Sequence, residues 1–235
     1  GRSWATGEAV SDLFATRLPA TLTVMTPILL LEVLLAVPFA IGVAYVRGSL
    51  TDRVIMVATT VALSISFLVY VLVGQWLFAF HLAWFPVQGW SASTWTNLTQ
   101  YAPLPVLLAV AVGLAPQTRL YRSFFLDEIG QDYVRTARAK GLSETTVLLK
   151  HVLRNAMIPI LTNVAVSLPG IFVGSFLIEV FFSIPGLGRE ILTAVNRSDY
   201  PVIQAVTVYL AVITMFVNLA TDLLYKLVDP RVVLK

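Results

Sequence analysis

Five long apolar runs separated by polar stretches set the pattern of this chain. The first runs from about Ala20 to Val46, and a polar turn through Arg47, Gly48, Ser49, Asp52 and Arg53 leads to a second from Val54 to about Phe80. A third covers about Ala102 to Leu120, a fourth about Val152 to Ile178, and a fifth about Val202 to Leu227. Each is near or above the ~20 residues that an α-helix needs to cross about 30 Å of hydrocarbon. Pro116 predicts a kink in the third. Pro159, Pro169, Gly170 and Gly174 predict a bent fourth that permits close approach of neighbours. The segments between the runs differ in texture. Residues 1–19 form a mixed, polar lead-in, and residues 81–101 place Trp84, Trp90 and Trp95 among Pro86, Gly89 and Asn97, as expected of a loop at a membrane interface. Residues 179–201 are turn-rich, with a short helix expected over 188–196. The fold class expected is an all-α, polytopic helical membrane protein.

Residues 127–155, DEIGQDYVRTARAKGLSETTVLLKHVLRN, are the one stretch rich in both signs of charge. Their local grammar is that of two helices meeting at a glycine. Asp132 is a good N-cap residue, Tyr133 to Lys140 contains no breaker, and Gly141 is able to take the left-handed C′ conformation. Ser143 then caps a second helix that runs through Leu148 and Leu149 into the fourth run. A loop that only set topology would need basic residues and none of this internal order, so the segment reads as a docking surface.

Composition agrees with the spans. The chain is 57% hydrophobic and only 12% charged, with a mean hydropathy of +0.82, against the roughly one-quarter charged residues of soluble domains. The net charge of +3 is small, and the basic residues sit in short loops, so nothing points to nucleic acid. Arg47, Arg53, the group from Arg119 to Arg154, Lys226, Arg231 and Lys235 fall on one side of the alternating spans; Arg2, Arg17, Arg189 and Arg197 fall on the other. The positive-inside rule makes the first side cytoplasmic, with the N-terminus outside and the C-terminus inside. No signal peptide is visible, so an external N-terminus implies an earlier span and six in all. There are no cysteines, hence no disulfide and no thiolate metal site.

The chain contains no G-x-x-x-x-G-K-[ST] phosphate loop, no H-E-x-x-H zinc motif and no G-x-S-x-G elbow. Its two histidines, His81 and His151, fall on opposite faces of the expected topology, so neither a catalytic site nor a bound metal is expected. Glu32 lies near the middle of the first run, where an ionisable group costs at least ~2.5 kcal/mol and usually faces a bundle interior or watery path. Two readings stand: a pathway group that attracts a cationic substrate group, or a structural carboxylate. Asn163, Asn218 and Asp222 are polar positions suited to interhelical hydrogen bonds or substrate contact. Phe181 and Phe182, beside Pro185-Gly186-Leu187-Gly188, are either an external gate or interface anchors.

At DYVRTARAKGLSETTVLLKHVLRNAMIP, residues 132–159, the chain resembles the cytoplasmic coupling loop of ABC-transporter permeases of the dipeptide/oligopeptide/nickel importer subfamily. GRSWATGEAV near the start, RLPATL at 17–22, WFPVQGW at 84–90, EVFFSIPGLG at 179–188, RSDYPVIQ at 197–204 and NLATDLLYKLVDPRV at 218–232 extend the resemblance over essentially the whole chain. The general importer motif is partly met: Arg135, Thr136 and Ala137 occupy the E-A-A places, Gly141 is retained, and His151, Leu153 and Arg154 replace its I, L and P. Those departures are themselves typical of the peptide/nickel subgroup.

The resemblance implies a type I importer permease domain over 20–235, with coupling loop 127–155. It implies a second homologous permease, two cytoplasmic ATPase subunits that bind ATP and Mg, an extracytoplasmic substrate-binding protein, and a bacterial or archaeal cytoplasmic membrane. The chain itself would bind no cofactor. The coupling residues implied are Asp132 to Leu142: Arg135, Arg138 and Lys140 steering docking, Tyr133, Val134, Ala137 and Leu142 supplying shape, Thr136 and Ala139 completing the helix, and Gly141 hinging it. The rival is an ion-coupled secondary transporter or channel that uses Glu32 and Asp222.

Overall fold

The structure, a computed structural model, describes residues 1–228, with side chains described through residue 220. Among the described residues its regular secondary structure is all helical, apart from one isolated antiparallel bridge between Arg2 and Ala9. In chain order the helices are α1 (Val10–Tyr45), α2 (Leu50–Ser64), α3 (Phe67–Gly74), α4 (Thr94–Thr96), α5 (Pro103–Ile129), α6 (Asp132–Ala139), α7 (Glu144–Thr146), α8 (Leu153–Val173), α9 (Phe176–Phe181), α10 (Leu187–Asn196) and α11 (Tyr200–Val228). Wider π-helical turns continue α3 through Gln75–His81, follow α4 over Asn97–Tyr101, and join α7 to α8 over Val147–Val152. Among the described residues, four helical stretches are long and apolar enough to cross a membrane, or five if α2 and α3 are counted as one broken span.

Three boundaries differ from the hydropathy pattern. The first helix begins at Val10 rather than near Ala20, because the lead-in folds into it and Pro19 falls inside it. The second run is divided at Ile65 and Ser66, where the Ile65 backbone turns extended (φ −91°, ψ 129°). The third helix continues to Ile129, so the first residues of the polar insertion belong to α5, with Pro116 inside it. The fourth run is interrupted as its glycines suggested: α8 stops at Val173 and Gly174 takes φ +78°. The short helix expected over 188–196 forms as α10, starting one residue earlier.

The chain forms two compact units. The first gathers Gly1–Leu29, Leu68–Leu108 and the described residues from Ala165 onward. Its buried cluster comprises Val10, Leu13, Ala194, Val202 and Val206, flanked by Phe14 and Ile191. Asp199, just before α11, collects the N-terminal residues: its carboxylate accepts from the Ser3 hydroxyl, from Trp4 N–H at 3.0 Å and from Ala5 N–H at 3.3 Å.

The second unit comprises Leu30–Phe67 and Ala109–Val164. Ala36, Ala40 and Ala44 repeat every fourth residue along α1 and so lie on one face. Their small side chains let Tyr121 and Phe125 of α5, Val134 and Ala137 of α6, and Val152, Ala156 and Ile160 pack into one buried cluster with them. The turn before α2 is tied down by polar contacts. The Ser49 hydroxyl accepts from Asp52 N–H at 3.1 Å, and Asp52 Oδ2 accepts from Gly48 N–H at 2.9 Å and from Arg122 Nη2 at 2.8 Å. Arg119 donates to Thr60 at 3.0 Å.

Candidate functional site

The polar insertion builds a short helix with a defined inner and outer face. Gln131, in extended conformation (φ −74°, ψ 153°), precedes α6 as its N-cap without a side-chain bond. Asp132 is the first helical residue instead of the cap, and its Oδ1 lies 3.3 Å from Arg135 Nη1. Val134 and Ala137, three residues apart and therefore on one face, are buried against the second unit's core. They are turned inward, so the shape offered outward comes from other residues. The exposed set is Asp132, Arg135, Thr136, Arg138, Ala139, Lys140, Gly141 and Leu142. Tyr133 is half-buried and its hydroxyl donates to Glu128 Oε2 at 2.6 Å; burial and that bond push the phenol pKa up, which keeps it a neutral donor.

The stop of α6 is a Schellman arrangement. Gly141 takes φ +76°, its N–H donates to Arg138 O at 2.9 Å, and Leu142 N–H donates to Ala137 O at 3.4 Å. A Cβ at Gly141 would meet nothing within 4 Å, so the backbone angle, and not space, requires glycine here. Across this turn Arg138 holds Glu144 with a two-pronged contact, Nε to Oε2 at 3.1 Å and Nη2 to Oε1 at 2.5 Å. The Ser143 hydroxyl accepts from Thr146 N–H at 3.4 Å and starts α7 as expected. Because Arg138 and Glu144 are partly exposed, the pair contributes at most about 1 kcal/mol. It fixes direction more than stability.

A second constellation, in the first unit, centres on a residue that sequence reasoning did not single out. Glu179 of α9 is only 1% exposed, and a buried carboxylate requires a full set of donors. Its Oε1 accepts from Thr21 Oγ1 of α1 at 2.8 Å, and its Oε2 from Arg189 N–H at 2.7 Å, with Gly188 N–H adding a further backbone bond. Thr21 Oγ1 in turn accepts from Leu187 N–H at 2.8 Å. A Cβ placed at Gly174 or Gly186 would come within 2.3 to 2.4 Å of this carboxylate, and one at Gly188 within 2.9 Å of Phe176 N. The glycines of the S-I-P-G-L-G segment therefore leave room for the Glu179 side chain to reach the first amides of α10. That cluster of glycines near one glutamate was the available sequence signal.

The remaining candidates are distributed between the units. Glu32 is half-buried in the second unit, its carboxylate laid over Gly113 of α5. Asn163 of α8 accepts a hydrogen bond from the Tyr121 hydroxyl of α5 at 3.3 Å. Phe182 is buried and Phe181 half-buried in the first unit. Their carbonyls accept from Gly89 N–H at 3.2 Å and Gln75 Nε2 at 3.0 Å. The side chain of Asp222 lies outside the described residues.

Gly113 yields a direct prediction. Its Cβ would sit 1.9 Å from Glu32 Oε1, so Gly113→Leu is expected to cost about 1–3 kcal/mol by overpacking. Glu32→Ala in the same chain should recover at least half of the loss, measured by thermal unfolding in detergent. Strictly additive losses would show that the two side chains do not compete for this space.

Comparison with known proteins gives a consistent picture. The family model described as binding-protein-dependent transport system inner membrane component matches residues 36–234. The oligopeptide transport system permease protein AppB of Bacillus subtilis (strain 168) is 37% identical, over 96% of this chain and 73% of its own length. The dipeptide transport system permease protein DppB of Lactococcus lactis subsp. cremoris (strain MG1363) is 36% identical over 97% of this chain and 73% of its own. The glutathione transport system permease protein GsiC of Salmonella choleraesuis (strain SC-B67) is 35% identical over 99% and 74%. Among solved structures, an amino acid ABC transporter with histidines superposes with a TM-score of 0.52 at 17% identity, covering 94% of this chain and 95% of that one. At that identity the likeness speaks for the fold.

Proposed function

The chain belongs to the binding-protein-dependent transport system inner membrane components, and from this premise we propose that it imports di- or oligopeptides as one half of an ATP-driven translocation pathway. The names of the relatives similar along nearly the whole chain support the cargo class: oligopeptide, dipeptide and glutathione systems. The observation that carries the coupling role is α6. It is anchored on one side by Val134 and Ala137, exposed on the other, and closed by a left-handed glycine.

Coupling follows from that geometry. Arg135, Arg138 and Lys140 lie on the exposed surface with Leu142, a combination suited to an apolar contact rimmed by charge on an acidic groove. A push on the exposed face reaches the core through Val134 and Ala137, which pack against the residues of α1, α5 and α8 in the same unit. Two ATPase subunits would supply the push, since they would hold ATP and Mg and perform the hydrolysis, this chain carrying no phosphate loop. A second permease would complete the pathway, and an extracytoplasmic binding protein would deliver the peptide. Residues 127–155 and the C-terminus would face the cytoplasm of a bacterial or archaeal cell, and residues 81–101 and 179–201 would face outward.

The test is uptake of a labelled tripeptide into proteoliposomes holding this chain, its partner permease and the ATPase subunits, with the binding protein outside. Uptake should require ATP and the ATPase subunits. Uptake driven by an imposed ion gradient without either would support the ion-coupled alternative.

A further inference from the structure

A cavity of about 400 Å³ opens in the first unit between the N-terminal segment, α1 and α10. It lies within the size range of small-ligand sites. Its charge-bearing lining is Arg17, Arg189 and Arg197 with Glu8 and Glu190, a cationic excess of one. Arg17 and Glu190 approach to 3.4 Å, yet Arg17 Nε is buried without a hydrogen-bond partner. The side chains of Arg189, Arg197 and Glu8 make no hydrogen bond or ion pair among the described residues. The pocket therefore holds solvent-facing guanidinium donors with no hydrogen-bond partner among the described residues, beside one carboxylate likewise without one. The first amides of α10 contribute none of this demand, because Glu179 already takes Gly188 N–H and Arg189 N–H.

We propose that this pocket binds the charged ends of a short zwitterionic peptide, with the α-carboxylate on the unpaired arginines and the ammonium on Glu8. The proposal rests on the peptide-importer reading and extends it with a site on this chain. Arginine forks match a carboxylate in two parallel bonds and discriminate against a neutral amide in the same place. Glu8, on the strand-like lead-in bridged at Arg2 and Ala9, supplies the opposite charge without any change in the pocket. Arg189 is fixed by its own backbone: its N–H is held by the buried Glu179, so its side chain leaves a rigid point at the rim.

The experiment measures equilibrium binding of labelled Ala-Ala-Ala and of its C-terminal amide to the purified transporter in nanodiscs, with no binding protein present. The wild type is expected to hold the acid at least ~10-fold more tightly than the amide, a difference of about 1.4 kcal/mol. The double variant R189Q/R197Q, altered only at two exposed side chains, should lose that preference while keeping wild-type abundance, and Glu8→Gln should weaken Ala-Ala-Ala more than its N-acetyl form. Equal affinity for acid and amide, no saturable binding, or a preference that survives in R189Q/R197Q would overturn the proposal. So would a double variant that binds Ala-Ala-Ala normally but loses affinity for the binding protein, since the arginines would then serve protein docking. ATP-dependent tripeptide uptake that persists alongside any of these outcomes would leave the importer reading standing and remove only the pocket.

Discussion

Gly141→Pro is expected to leave ATP hydrolysis running while peptide uptake falls to less than about a tenth of wild type. Proline fixes φ near −65° and carries no N–H, whereas Gly141 sits at φ +76° and donates to Arg138 O at 2.9 Å. The substitution cannot keep the turn. The cost is local, on the order of 3 kcal/mol, because the turn is exposed and a side chain at position 141 would meet nothing within 4 Å of its Cβ. The spans would therefore still insert, while α6 would lose the direction that Arg138 and Glu144 give it. Gly141→Asn, which tolerates the left-handed region, should retain most uptake. Uptake and hydrolysis are measured together in proteoliposomes at matched permease abundance, and wild-type uptake by Gly141→Pro would remove the turn from the coupling path.

Much of this element was legible in the sequence because its chemistry is local. A glycine after an unbroken polar run, and a serine before the next apolar run, set α6 and α7 through bonds spanning a few residues. Even there the N-cap moved by one position: Gln131, with no side-chain bond to the amides of α6, takes the extended conformation expected of Asp132. The inward face of α6 was not legible either. Val134 and Ala137 are an apolar i, i+3 pair in a largely polar helix, and the sequence alone offers that pair equally to a partner's groove or to α1, α5 and α8, where it packs. The break at Ile65 and Ser66 was hidden for a related reason, since hydropathy averages over a window and the run around the break stays apolar. Glu179 was missed because its partner Thr21 lies 158 positions away.

Glu179→Ala is expected to be the most destabilising single change outside the hydrocarbon-facing positions. It would leave Arg189 N–H, Gly188 N–H and the Thr21 hydroxyl without their buried acceptor. Orphaned buried donors cost about 1–3 kcal/mol each, so a total on the order of 4 kcal/mol follows if the loop relaxes partly. The void left beside Gly174 and Gly186 adds to this. Thr21→Val should cost less, since it removes the hydroxyl shared by Glu179 and Leu187 N–H while the α10 amides keep their carboxylate. Glu179→Gln should fall between the two, because it keeps the shape and one acceptor oxygen. Membrane abundance and the midpoint of thermal aggregation in detergent report these losses. A Glu179→Ala variant as abundant and as heat-resistant as wild type would mean that the buried carboxylate does not organise α9 and α10.

The central claim is that the exposed face of α6 is where the ATPase subunits touch this chain. The absence of cysteine from the sequence makes this claim directly measurable. Single cysteines are placed at Arg135, whose side chain is 74% exposed on α6, and at Trp95 of α4, 74% exposed. The assembled transporter, with cysteine-free partners except for one cysteine on the ATPase groove, is then treated with a short thiol cross-linker. The expected result is a permease–ATPase adduct from Arg135→Cys and none from Trp95→Cys. No adduct from Arg135→Cys, or equal adducts from both positions, would contradict the account.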